Sequence, residues 1–348
     1  MTDQPAGSAR ARRLLIGALL VAAVIAVAWF VFAGLPWAEI GQALRDVSLG
    51  QLLVLLGLVL VRAVVLALPL SALMREVSAL RATRSDLAGN LVANFAPPPA
   101  DMGIRYAMFR SWKVNAAEAM AALSLSALLF YAARFTAPLL GFTLILLTRR
   151  FDDEYLVMTV IAGAVALLIV GALITISRAE RSAAWLGRTA GRLVARVRDI
   201  DPEHWEQATL SFREKVNDRL RRGWGGAAVA LVALFVVESI ILVVALRFVE
   251  VPGDAVPTVE IAGAFLVTYP LNMLPFGGLV ILDGLILEIL SAQGGAAYEA
   301  QIAAGLMLWR LATLVTPFIL GLLVLVHWQR HEGRGVSWRR TAPDPEPT

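Results

Sequence analysis

Two short stretches of this sequence set polar and charged residues beside points where a helix must break. "NFAPPPADMGIR" runs from Asn94 to Arg105, and "NMLPFGGLVILD" runs from Asn272 to Asp283. Consecutive prolines cannot sit inside an ordinary helix, because each removes an N–H donor and clashes with the preceding turn. A break ends one helix and starts another, so free N–H groups and a positive dipole end are presented where the second begins. Those features favour an anion, and a phosphate suits them well. Arg105 and Arg110, just past the first break, would add charge-assisted hydrogen bonds to phosphate oxygens. The competing assignment for both is an interfacial anchor reaching toward headgroups. Arg105 lies close to Gly103 and the prolines and is assigned to the site.

Charges inside apolar runs form the second set: Arg62, Arg134, Glu238, Asp283, Glu288 and Arg310. A charge at the centre of a membrane helix costs at least ~2.5–3.5 kcal/mol on insertion scales, so each should face a partner or water. Arg134 and Arg310 fall in similar contexts, "FYAARFTAPLLGF" and "LWRLATLVTPFILG". Asp283 and Glu238 are their expected counter-ions, and either could carry a proton in ion coupling. The blander alternative is a set of buried ion pairs that fix helix register, and Arg62 is assigned to that role. Asp101, Glu238 and Asp283 could make an acid–base set, but no nucleophile or metal-binding histidine pattern accompanies them. The chain has no cysteine, and its three histidines, His204, His327 and His331, lack metal-ligand spacing. It also has no GxxxxGK[ST] loop. An enzyme is therefore not expected, and no catalytic residue, metal or cofactor is assigned.

The elements that must position these residues are membrane helices. The 348-residue chain is 58% hydrophobic and 17% charged, with mean hydropathy +0.71. A soluble domain would be near half apolar and a quarter charged. Leu14–Trp37, Tyr155–Ser177 and Ile261–Leu282 carry no charge, and each is long enough to cross a hydrocarbon core of ~30 Å. The net charge of +4 fits basic cytoplasmic loops better than nucleic acid, which is not expected as a partner.

The basic N-terminus, residues 1–13, is placed inside. The first membrane half is 14–177, and a basic cytoplasmic linker with one or two amphipathic helices follows at 178–224. The second half is 225–328 and the cytoplasmic tail 329–348. Basic residues on both sides of the tri-proline, and their absence on both sides of the second break, make re-entrant segments of 87–104 and 261–290. The fold expected is an all-α polytopic membrane protein with about six transmembrane helices and two re-entrant segments. A cleavable signal peptide is the rival for the first span, but the apolar run exceeds the usual h-region of ~7–15 residues. The two breaks enter from opposite sides and share an Asn-x-x-Pro start, Asn94 to Pro97 and Asn272 to Pro275, each followed by glycine. That points to an inverted repeat, whose paired interrupted segments mark a transporter's binding site near the midplane.

"NLVANFAPPPADMGIRYAMFR", and "LPFGGLVILDGLILEIL" followed by "AAGLMLWRL", resemble the lysylphosphatidylglycerol synthase transmembrane domain family from about Leu14 to His327. The resemblance aligns Gly277, Gly278 and Leu279 with a glycine-rich motif, Asp283 with its acid and Arg310 with a later arginine. Phe276, Val280 and Asp283 depart from that motif, and Pro98 and Pro99 stiffen the first one. It implies a flippase-like module in a bacterial plasma membrane, moving a phospholipid or other polar lipid. In bifunctional relatives a soluble aminoacyl-transferase domain follows. After the last span only a short tail ending "SWRRTAPDPEPT" remains, so lipid aminoacylation is not expected. Two other readings stand beside it: a non-transporting partner of a separate glycosyl- or acyl-transferase, and a small-anion transporter.

Overall fold

The computed structural model describes residues 37–74, 76–94, 100–147, 202–274, 278–292 and 296–332. The expected spans Leu14–Trp37 and Tyr155–Ile176 lie outside the described residues, apart from Trp37, as do Pro97, Pro275 and Gly277. Among the described residues every regular element is helical.

A short helix α1 (Trp37–Arg45) leads to α2 (Leu49–Leu73). Ser48 caps α2 reciprocally: its hydroxyl accepts from the Gln51 N–H, and the Gln51 side chain accepts from the Ser48 N–H at 2.7 Å. Such a box satisfies two of the donors a helix start leaves orphaned. Helices α3 (Ala79–Ala93) and α4 (Ala100–Ser111) flank the tri-proline and pack against each other. The long α5 (Ala116–Leu147) follows and runs through Pro138.

After the second segment outside the description comes α6 (Pro202–Phe248), a single helix of 47 residues. It passes through position 224, where the linker was expected to end. Helix α7 (Thr258–Thr268) tightens into a 3₁₀ turn (Tyr269–Met273), and α8 (Ile281–Leu290) packs back on α7. The charge-free run Ile261–Leu282 is therefore not one crossing helix. Last come α9 (Glu299–Arg310), a π-helical turn (Leu311–Val315) and α10 (Thr316–His331).

Among the described residues four stretches have the length and apolarity to cross a membrane: Leu49–Leu73, Glu118–Ile145, Gly223–Phe248 and Glu299–His331. The hairpin helices do not. At 15, 12, 11 and 10 residues for α3, α4, α7 and α8, they reach about 15–22 Å at 1.5 Å per residue, short of a ~30 Å core.

Packing is reciprocal. Hairpin α3–α4 lies against α10, the last helix after the second hairpin; hairpin α7–α8 uses α7 to pack on α5, the long helix after the first. Helices α2 and α6, which precede the hairpins, pack on each other. Between lipid-like surroundings no hydrophobic gain drives helices together, so small residues set the approach. A Cβ on Gly141 of α5 would fall 2.7 Å from the Gly263 carbonyl oxygen of α7, and the contact exists only because both are glycine. The main core gathers Leu242, Leu246, Ile261, Phe265, Leu282, Ile286 and Trp309 around this second hairpin.

The far end of α10 is tied to the first hairpin. Glu332 accepts from the Trp112 indole and, at 2.9 Å, from Arg84. Arg81 and Arg84 each stand 5.7 Å from the Trp112 ring, and the Trp328 indole donates to the Ser111 hydroxyl. Burial alone would raise the Glu332 carboxyl, but the Trp112 and Arg84 hydrogen bonds outweigh it and hold the group below the usual glutamate range. A depressed carboxyl adds stability above its unfolded value, about 4.3, and loses it as the pH falls through the folded value. Melting of wild type and Glu332→Gln in detergent should therefore differ at pH 7 and converge as the pH falls through the depressed folded value. A gap that stayed constant down to the most acid pH at which the protein remains folded would remove the ionised carboxylate as its source.

Candidate polar cavity between the hairpins

The breaks bring polar side chains from seven helical segments to one cavity of about 430 Å³. Arg62 of α2, Arg134 of α5, Glu238 of α6 and Arg310 of α9 line it, with Asn90, Asn94, Asn272 and Thr313. An aromatic cluster forms part of the wall. Tyr269 meets Phe235 and Phe265 edge to face at 5.0 and 5.4 Å, and Phe265 meets Trp309 at 5.7 Å. Such tilted pairs fix ring positions more firmly than area burial alone.

The charges pair unevenly. Arg62 binds Glu238, with Nη2 at 2.6 Å and Nε at 2.8 Å from the same carboxylate oxygen. The expected Glu238–Arg134 or Glu238–Arg310 pair is thus replaced by one across the α2–α6 contact. Arg310 binds Asp283 as expected, Nε to Oδ1 at 2.6 Å, and its guanidinium stacks 4.5 Å from the Trp309 ring. The other Asp283 oxygen accepts the Val280 N–H at 3.1 Å. One carboxylate therefore caps the start of α8 and holds the cavity arginine.

Arg134 differs. It has no carboxylate partner among the described residues; its guanidinium lies 6.0 Å from the Tyr269 ring, and its Nε is buried without a hydrogen bond. Arg310 Nη2 and Glu238 Oε2 are also buried and unpartnered. Buried polar groups left unpaired are costly, which makes them strong candidates for ligand contacts.

Arg105 sits elsewhere. It lies over Gly89 of α3 and binds Asp86 at 2.7 Å, and Asp86 also accepts from Asn90. These residues line a second pocket of about 200 Å³ with Asp101. That pocket joins the larger cavity through Asn90, Phe130 and Arg134, which line both. Arg110 is exposed and donates to the Val114 carbonyl at the end of α4, outside both pockets, and Gly103 is exposed on α4. Glu288 is exposed on α8.

Sequence reasoning missed Asp86, Asn90, Tyr269 and Trp309. Asp86 sits four residues before Asn90 on one helix face, a spacing that could have shown a polar stripe beside Arg105.

The second break is strained. Gly278 has φ +72°, and a Cβ there would fall 2.5 Å from the Leu271 carbonyl oxygen. Val280, two residues on, has φ +77°, a conformation rare for a β-branched residue. Gly278→Ala should cost about 1–3 kcal/mol of stability, read as a lower melting temperature in detergent. An unchanged melting temperature would show the turn to be adaptable.

The family model described as the lysylphosphatidylglycerol synthase TM region matches residues 14–321. No curated protein and no solved structure matches the chain. With that match and the four membrane-length apolar stretches among the described residues, this chain is a multi-pass membrane protein that belongs to the lysylphosphatidylglycerol synthase transmembrane-region family.

Proposed function

We propose that this protein translocates a phosphate-bearing polar lipid between the leaflets of a bacterial plasma membrane. The observation that carries the reading is the cavity that three guanidinium groups, Arg62, Arg134 and Arg310, line between two broken hairpins. Two of the three retain a buried nitrogen atom or edge with no partner. A phosphate group offers the acceptor oxygens those donors lack. In this reading the hairpins are re-entrant segments of an inverted repeat, with both termini cytoplasmic. The reciprocal packing of each hairpin on the helix that follows the other supports it. Glu238, with one free carboxylate oxygen in the cavity, is the favoured carrier of a coupled proton.

The test is leaflet exchange of fluorescent phospholipids in vesicles reconstituted with the purified chain. Protein-dependent exchange of an anionic phospholipid, lost in Arg134→Gln, is expected. Uptake of inorganic phosphate with no lipid exchange would identify a small-anion carrier instead. Vesicles showing neither activity, with a separate transferase co-purifying, would favour a non-transporting partner.

A further inference from the structure

A lipid that brings a phosphate to the cavity also brings hydrocarbon chains, and the wall beside Arg310 has a place for one. We infer that an acyl chain of the bound lipid lies in the groove formed by α8, α9 and the π-helical turn. This rests on the lipid-translocation reading and locates the part of the ligand that reading leaves unplaced.

The groove holds about 300 Å³. Its walls are apolar, built from Leu44, Leu279, Leu287, Met307, Leu311 and Val315, and the charged groups in its lining are Asp283 and Arg310, which bind each other. It adjoins the polar cavity, since Arg310 and Leu314 line both. At the junction Arg310 is only 7% exposed and its Nη2 has no partner. A phosphate oxygen on that nitrogen would set the glycerol at the junction and lead a chain away into the groove. Leu279, Leu311 and Val315 are 40, 56 and 46% exposed, so the groove opens on the lipid-facing surface and a chain can enter sideways. The π-helical turn supplies this opening. It follows Arg310 directly and precedes Pro317, and such bulges redirect side chains that a regular helix would bury. A free inorganic anion needs no such groove, so its occupancy separates a lipid from a soluble phosphate.

The experiment uses the purified full chain in detergent with phosphatidylglycerol carrying a diazirine in mid-chain, and maps photo-adducts by mass spectrometry. Adducts are expected on Leu287, Met307 and Leu311. Met307→Trp, which fills the groove, should reduce them about tenfold. Leu311→Trp, at an exposed position that tolerates bulk, provides a second filling variant whose folding is not in question. Unlabelled phosphatidylglycerol should compete, while glycerophosphoglycerol and inorganic phosphate should not. Adducts spread over the outer face of α2, such as Leu53 and Leu60, without groove enrichment would overturn the inference. So would headgroup fragments that compete as well as intact lipid, or adducts unchanged in both tryptophan variants. Because the readout is binding, groove adducts that persist in a protein with no leaflet exchange would reject transport while leaving the groove assignment intact.

Discussion

Asp283→Asn is expected to lower the melting temperature of the detergent-solubilised protein by on the order of 10 °C, the largest effect on stability proposed for this chain. Asp283 and Arg310 are each 7% exposed, and they share a 2.6 Å ion pair. The amide preserves an acceptor for the Val280 N–H, so the start of α8 stays capped. What it removes is the charge facing Arg310. Breaking a buried pair by neutralising one partner typically costs about 3–5 kcal/mol, because the other charge is left uncompensated in a poor dielectric. The size of the penalty comes from Arg310, which already leaves Nη2 without a hydrogen bond.

A second substitution separates charge loss from packing. Asp283→Asn/Arg310→Gln replaces the ion pair by two amides that can hydrogen-bond at similar volume, and most of the lost stability should return. Lipid exchange should not return, since the double variant lacks the free guanidinium nitrogen. If the single and double variants melt alike, the loss arises from the turn at Gly278–Val280 and not from the ion pair.

Asp283 was legible as a counter-ion because it lies only 27 residues from Arg310, although the sequence left open which of the two arginines it would meet. Glu238 was paired wrongly for the opposite reason. Its partner Arg62 is 176 residues away, and only the crossing of α2 and α6 decides which guanidinium lies opposite. The breaks themselves were visible, since proline and glycine act locally. The π-helical turn was not, because Leu311–Val315 is ordinary apolar sequence.

The expected end of the linker at 224 falls inside α6, at the start of that helix's membrane-length apolar part, Gly223–Phe248. In the fold a Cβ on Gly223 would fall 2.5 Å from the Ala72 carbonyl oxygen. Gly223, and Gly226 beside the Ala72 side chain, serve the approach of α6 to α2 while the helix continues, so tertiary packing outweighs the poor helix propensity of glycine. Arg105 was assigned to the ligand because it follows the prolines. Asp86, one turn before the glycine on which Arg105 lies, holds it in the smaller pocket.

Arg134→Gln should separate function from folding in the other direction. Of the three cavity arginines, Arg62 is offset by Glu238 and Arg310 by Asp283, while Arg134 lies near the Tyr269 ring and has no ion-pair partner among the described residues. Two balanced pairs and one unbalanced guanidinium give the cavity an excess of one positive charge among the described residues. A lone cation at membrane depth is unfavourable to the empty protein. Removing it strips no carboxylate of its partner, so the melting temperature should hold or rise. Leaflet exchange of an anionic phosphodiester lipid should fall by about tenfold or more, the loss that follows removal of a desolvated charge contact. Arg134→Lys keeps the charge but not the planar fork, so it should retain part of the activity. A structural role predicts the reverse pattern: lower stability in both variants, and exchange that declines only in step with the folded fraction. Measuring melting temperature and exchange on the same preparations decides between them, and equal exchange by Arg134→Gln and wild type would remove Arg134 from the ligand site.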